Sequence, residues 1–225
     1  MTFETNAELL EALGGIDPGR IRLRPLPGEA TEGDVLTFLE KEHRLFELVD
    51  GTLVEKVMGM KEAWIAGIIL TEINLFLSVH DLGFATPGDG PLKILARLVR
   101  MPDVSFISWL QLPERKIPDQ PIPELYPDLA VDVFSTGNTW AEMKRKLKEY
   151  FLAGTRLVWI VYPETRTVDV YTAPEKHATV GENAILDGGN VLQGFKLPVA
   201  KLFAKLPNGE RKKGENMRKK RKNSQ

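Results

Sequence analysis

Apolar positions along the chain recur with two different periods, and the switches between them outline a series of helices and strands. After Thr31, the set Val35, Leu36, Phe38 and Leu39 has helical spacing and predicts a helix of about three turns. Phe46-Glu47-Leu48-Val49 and Thr52-Leu53-Val54-Glu55 flank Asp50-Gly51, the dipeptide that accepts the positive φ angles of a type I′ hairpin turn. Residues 61–80 carry Ile65, Ile68, Ile69, Ile73, Phe76 and Leu77 at helical spacing, with Ala63, Gly67 and Leu70 between them, so this helix is expected to be central. Strands are predicted at Leu92–Leu95 and Val104–Ile107. Leu129 to Phe134 is a nearly unbroken apolar run, the profile of a strand covered on both faces. A helix over about 139–153 follows, with Trp140, Met143, Leu147, Tyr150 and Phe151 on one side and Gly154 as its stop. Leu157–Val161 and Thr167–Tyr171 complete the clear strands, and 175–206 reads as a further short β segment.

Breakers set the boundaries. Gly14, Gly15, Pro18, Pro25 and Pro27 make residues 1–30 a lead-in segment with at most a short helix near Ala7–Leu13. Five prolines make 111–127 a surface connection. Residues 31–206 are expected to form the folded domain, and 207–225 holds too few apolar residues to fold alone.

At 225 residues and 43% hydrophobic, the chain is long enough for one domain of ordinary size. Its net charge of −1 hides an asymmetry: Arg211, Lys212, Lys213, Arg218, Lys219, Lys220, Arg221 and Lys222 lie within the last sixteen residues, beside only Glu210 and Glu215. This tail suits either a phosphate-binding arm or a solubilising end. The absence of cysteine excludes disulfides, zinc ribbons, iron–sulfur clusters and thiol catalysis. His43, His80 and His177 are scattered, and no glycine-rich loop carries the lysine of a nucleotide-hydrolysing domain. With no apolar span or secretory leader visible, a soluble, cytoplasmic protein with no membrane partner is expected.

Two carboxylates interrupt the apolar strands, and an ionised group taken from water costs several kcal/mol unless compensated. Alternation places Asp103 with Ser105 and Ile107, and Asp132 with Ala130 and Phe134. If the two strands are neighbours in register, both acids reach one point. There they would either share a divalent cation, the arrangement used for phosphodiester hydrolysis, or each pair with a nearby Arg or Lys.

Phe46-Glu47-Leu48-Val49-Asp50-Gly51, Met101-Pro102-Asp103-Val104, Pro127 to Val133, Lys146-Leu147-x-x-Tyr150, Ala153-Gly154 and Trp159 to Val168 together resemble, in order and spacing, the Uma-two family of restriction endonucleases within the PD-(D/E)XK nuclease superfamily. The resemblance covers about residues 31–172. It implies an α/β (α+β) fold, a restriction-endonuclease-like mixed central sheet flanked by helices, and a metal-dependent endonuclease acting on DNA with Mg²⁺ or Mn²⁺. It further implies Asp103, Asp132 and Glu47 as metal-binding and catalytic carboxylates.

The superfamily's lysine two residues after the second acid is replaced here by Phe134. Lys144, Lys146 and Lys148 lie on the following helix, and helical geometry lets both Lys144 and Lys146 reach a cleft at its edge. The resemblance selects Lys146. Three departures from the family pattern are visible: Asp132 in place of glutamate, Glu62-Ala63-Trp64 in place of Glu-His-Gln, and Phe134-Ser135-Thr136-Gly137 after the second acid. They motivate an alternative, a catalytically degenerate nuclease fold that binds nucleic acid or protein. Cutting both strands of a duplex would also suit a homodimer.

Overall fold

Local signals nucleate most of the elements in this computed structural model, which describes residues 3–207. Thr5 Oγ1 accepts from the Glu8 N–H to start α1 (Asn6–Ala12), and a two-residue strand β1 (Ile21–Arg22) follows. A Thr31–Asp34 capping box opens α2 (Glu32–Glu42). The hairpin β2 (Phe46–Val49) and β3 (Thr52–Glu55) turns at Asp50 and Gly51, whose φ angles of 51° and 76° are those a type I′ turn needs. Next come α3 (Met60–Leu77), β4 (Gly83–Pro87), β5 (Leu92–Leu95), β6 (Leu98–Arg100) and β7 (Val104–Ser108). The proline-rich connection then leads to β8 (Leu129–Val133) and to α4 (Trp140–Ala153), which Gly154 ends at φ 113°. The chain closes with β9 (Leu157–Tyr162), β10 (Thr167–Ala173), β11 (Lys176–Gly181), β12 (Ile185–Asp187), β13 (Lys196–Pro198) and α5 (Val199–Phe203).

The central sheet runs β11-β10-β9-β8-β7-β4. It is mixed, because β8 and β9 are parallel while the other neighbours are antiparallel. A parallel pair needs a crossover, and α4 is that crossover. Alternation then divides the core. Val104, Phe106, Leu129, Val131, Val133 and Trp159 face α3 and α5, whereas Ile107, Ala130, Val158 and Ile160 face Met143, Leu147 and Tyr150 of α4. Both faces of β8 are therefore buried, as its apolar run predicts. The helix α3 buries Ile65, Ile69 and Ile73 but leaves Trp64 and Leu75 exposed, so it is covered on one side and not all round.

A second, antiparallel sheet, β1-β3-β2-β6-β5, lies against α4 through Val49, Val54, Leu92, Ile94 and Leu98 and is backed by α2 through Val35, Phe46, Leu48 and Val99. The segment before Thr31 joins this packing: Leu9, Leu13 and Ile16 are buried in the α4 core, and Arg20 makes a two-point ion pair with Glu142 of α4. Among the described residues, no helix is long and apolar enough to cross a membrane. The eight basic residues of the tail, Arg211 to Lys222, lie outside the described residues.

Candidate active site

Register brings the two strand-associated acids together. Val104 pairs with Val131 and Ser105 with Ala130, so one more step sets Asp103 opposite Asp132. Asp103 immediately precedes β7 instead of lying within it, and its Oδ2 accepts from the Val133 N–H at 2.8 Å. Both acids are buried and lie on the α4 face of the sheet. One row deeper, Ser105 pairs with Thr86 of β4, and the buried hydroxyls of both have no hydrogen-bond partner among the described residues. Two hydroxyls in the row beside the acids thus lack a partner among the described residues, while Ala130 and Val158 continue that row.

The α4 face opposite carries a column at i, i+4 spacing, Glu142, Lys146 and Tyr150, and all three are buried. Tyr150 donates to Asp132 Oδ2 at 3.0 Å, and Lys146 Nζ lies 3.7 Å from Asp132 Oδ1. Lys144 and Lys148 are exposed, Lys144 lying over the Trp140 ring. Of the three lysines, only Lys146 reaches the acids.

Glu47 arrives from the second sheet. Alternation in β2 turns Phe46 and Leu48 toward α2, and Glu47 and Val49 toward α4. Glu47 Oε1 accepts from Lys146 Nζ and from the Met101 N–H, both at 3.1 Å, while Oε2 accepts from Arg100 at 2.7 Å. Both oxygens of Glu47 are engaged by cations and the Met101 N–H, and Lys146 lies between Glu47 and Asp132. No group of three His, Cys, Asp or Glu residues arranged for a metal ion occurs among the described residues. The physical reason is the cations interposed between the acids. Arg100 also donates to Glu149, which Arg145 holds in turn, and Arg145 pairs with Asp50 at the hairpin turn.

A fourth lysine, Lys56, completes the cluster. It follows β3, forms an ion pair with Asp103 Oδ1 at 2.8 Å, and donates to the Gly88 carbonyl at 2.9 Å and to the Met101 carbonyl at 2.5 Å. Sequence reasoning passes over Lys56 and Arg100 because a basic residue at a strand end has no periodic signature. Their partners are dozens of residues away in the chain.

Electrostatics follow from this crowding. Burial pushes the Asp132 carboxyl up; Lys146 and Lys56 pull it down and the Asp103 charge pushes it further up, with a raised value as the outcome. Burial acts the same way on Glu47, but Lys146, Arg100 and Lys56 outweigh it and hold that carboxyl well below the usual range. Burial disfavours the Lys146 ammonium, yet Asp132 and Glu47 prevail and keep it protonated far above neutral pH. Tyr150, raised by burial and by Asp132, remains a phenol that donates.

The aspartates nonetheless fit a hard divalent cation. They are two oxygen donors meeting from adjacent strands, burial together with the Asp103 charge leaves Asp132 raised, and orphaned hydroxyls lie in the neighbouring row. Each aspartate also has a lysine within 4 Å, so both arrangements open to strand-embedded acids occur in one cluster.

Comparison with known proteins agrees with this architecture. A crystal structure from Anabaena variabilis, described as "a putative nuclease belonging to DUF820", superposes with a TM-score of 0.63 at 19% identity, covering 71% of this chain and 90% of that one. At that identity the likeness concerns the fold. No curated protein matches the chain. The family model Uma2, described as "Putative restriction endonuclease", matches residues 34–200, a span that includes Glu47, Asp103, Asp132 and Lys146. With most of its length matched by that model, the chain belongs to the Uma2 family.

Proposed function

We propose that the protein is a metal-dependent endonuclease that hydrolyses phosphodiester bonds in DNA. The observation that carries this reading is the convergence of Asp103 and Asp132 at the end of two adjacent strands, with Lys146 reaching Asp132 from the next helix. Asp103 and Asp132 would hold Mg²⁺ or Mn²⁺, which when bound supplies Lewis-acid polarisation of a phosphoryl oxygen. Lys146 is the chain's own electrostatic contribution. Its ammonium stays protonated, so it donates a hydrogen bond to water or to a phosphate oxygen and does not act as a base. Glu47 and Tyr150 act as positioning residues, Glu47 by fixing the lysine and Tyr150 by fixing the Asp132 carboxylate.

Family membership supports a nucleic-acid substrate. DNA, a cytoplasmic setting and a homodimer that presents two centres to a duplex belong to the same proposal. Plasmid incubated with the protein and Mg²⁺ or Mn²⁺ tests it: cleavage by the wild type and its loss, by at least about a hundredfold, in Asp103→Asn and Asp132→Asn is expected. Equal cleavage by all three proteins would overturn it.

A second reading is favoured by the interposed cations. Asp103 is paired with Lys56, Glu47 with Arg100 and Lys146, and Asp132 with Lys146, so each acid already has a cation beside it, as in a fold retained only for binding. DNA retention without metal binding or cleavage would support that reading.

A further inference from the structure

The Lys56 ammonium is held as a metal ion would be. Its Nζ meets three oxygens: it donates to the Gly88 carbonyl at 2.9 Å and the Met101 carbonyl at 2.5 Å, and it forms an ion pair with Asp103 Oδ1 at 2.8 Å. One carboxylate and two backbone carbonyls form the kind of donor set that hard cations take. Its side chain is only 6% exposed, so the charge is not there for solubility. A Cβ at Gly88 would lie 2.9 Å from Lys56 Nζ, 3.0 Å from Met58 Cε and 3.3 Å from the Asp103 Cα, so the loop packs closely against this cluster.

Charge arithmetic gives the arrangement a consequence. The three buried carboxylates Glu47, Asp103 and Asp132 face two buried cations, Arg100 and Lys146, and the mostly covered ammonium of Lys56. A divalent ion approaching the two aspartates meets carboxylates that each already have a lysine ammonium within 4 Å. Arg100 is tied to Glu47 and Glu149, and Lys146 bridges Glu47 and Asp132, whereas Lys56 alone neutralises Asp103 within the cluster. Displacing Lys56 is therefore the step that frees Asp103.

We propose that Lys56 is a built-in competitor for the cation at Asp103, a resident ammonium that weakens divalent metal binding and so sets the concentration at which the site loads. The proposal rests on the metal-dependent reading above and specifies how that site is regulated.

Calorimetric titration of the full-length protein with Mn²⁺ tests it. Lys56→Met removes the charge while keeping the apolar stem, and circular dichroism establishes that the variant is folded; Lys56→Gln replaces it if it is not. The expected result is Mn²⁺ binding about tenfold or more tighter than in the wild type, because a unit charge 2.8 Å from a ligand oxygen is gone. The gain should vanish in the double variant carrying Asp103→Asn. Unchanged or weaker Mn²⁺ binding in a folded variant overturns the proposal and leaves the nuclease reading standing. No Mn²⁺ binding by any variant up to about 10 mM, far above the usual range of functional affinities, overturns it as well, and the plasmid assay then decides the nuclease reading on its own.

Discussion

Lys146 and Lys144 lie two positions apart on one helix and meet different fates, because a turn of 200° separates their side chains. Lys146 is buried between Glu47 and Asp132, while Lys144 lies in solvent against Trp140. Lys146→Met should therefore lower plasmid cleavage at least about a hundredfold, whereas Lys144→Met should leave it within about twofold; comparable losses would contradict the assignment. Glu142, one turn before Lys146, has a structural task. Burial pushes its carboxyl up, but the hydrogen bonds and charge of Arg20, with Lys146 and Asn138, bring it below the usual carboxylate range. A group depressed in the folded state stabilises above its unfolded pKa of about 4.3, and that contribution is lost as pH falls through the folded value. Glu142→Gln should thus cost about 3–5 kcal/mol near pH 7, the usual penalty for breaking a buried pair. The deficit should narrow as denaturation is measured at progressively lower pH below about 4. A deficit that stays constant with pH would show that the Arg20 pairing is not its source. At this scale the convergence of Asp103 and Asp132 was legible because strand alternation locates a side chain without its partner; helical angle left Lys144 and Lys146 both open, and the family resemblance separated them. Lys56, Arg100 and the occupied oxygens of Glu47 were not, because they depend on how the second sheet docks.

Elements with an unbroken local signal form where the pattern places them: the hairpin at Asp50-Gly51, β8, and α4 with its Gly154 stop. Others escape the pattern for identifiable reasons. β4 runs into Pro87 and begins at Gly83, whose Cβ would meet the Ile107 carbonyl at 2.1 Å, so its breakers mark close strand packing and not a loop. β6 has three residues, too few to show a period. Residues 175–206 hold β11, β12, β13 and α5, short pieces ordered by burial of Leu186, Leu197, Leu202 and Phe203 on the α3 side. Glycines and prolines before Thr31 hide a segment that tertiary contacts order. A chain beginning at Thr31 would lose the buried side chains of Leu9, Leu13 and Ile16, about 1.5–3 kcal/mol each, and the Arg20–Glu142 pair. Its urea midpoint should fall accordingly; an unchanged midpoint would show that the segment is an appendage.

Across the whole molecule, two sheets and one crossover helix are organised around a buried ionic cluster that neither sheet could satisfy alone. The central sheet supplies Asp103 and Asp132, the second sheet supplies Glu47 and Arg100, with Lys56 just after its hairpin, and α4 supplies Lys146 and Tyr150. Burying so many charges is weak as a source of stability, since the desolvation penalty offsets much of the attraction. Its cost is explained if the cluster serves chemistry. Diffraction from crystals soaked in Mn²⁺, at a concentration that supports plasmid cleavage, puts that claim to the most direct test. The account predicts an anomalous peak within about 2.0–2.6 Å of a carboxylate oxygen of both Asp103 and Asp132. Crystals that show Mn²⁺ elsewhere, or none between these two side chains, would contradict it.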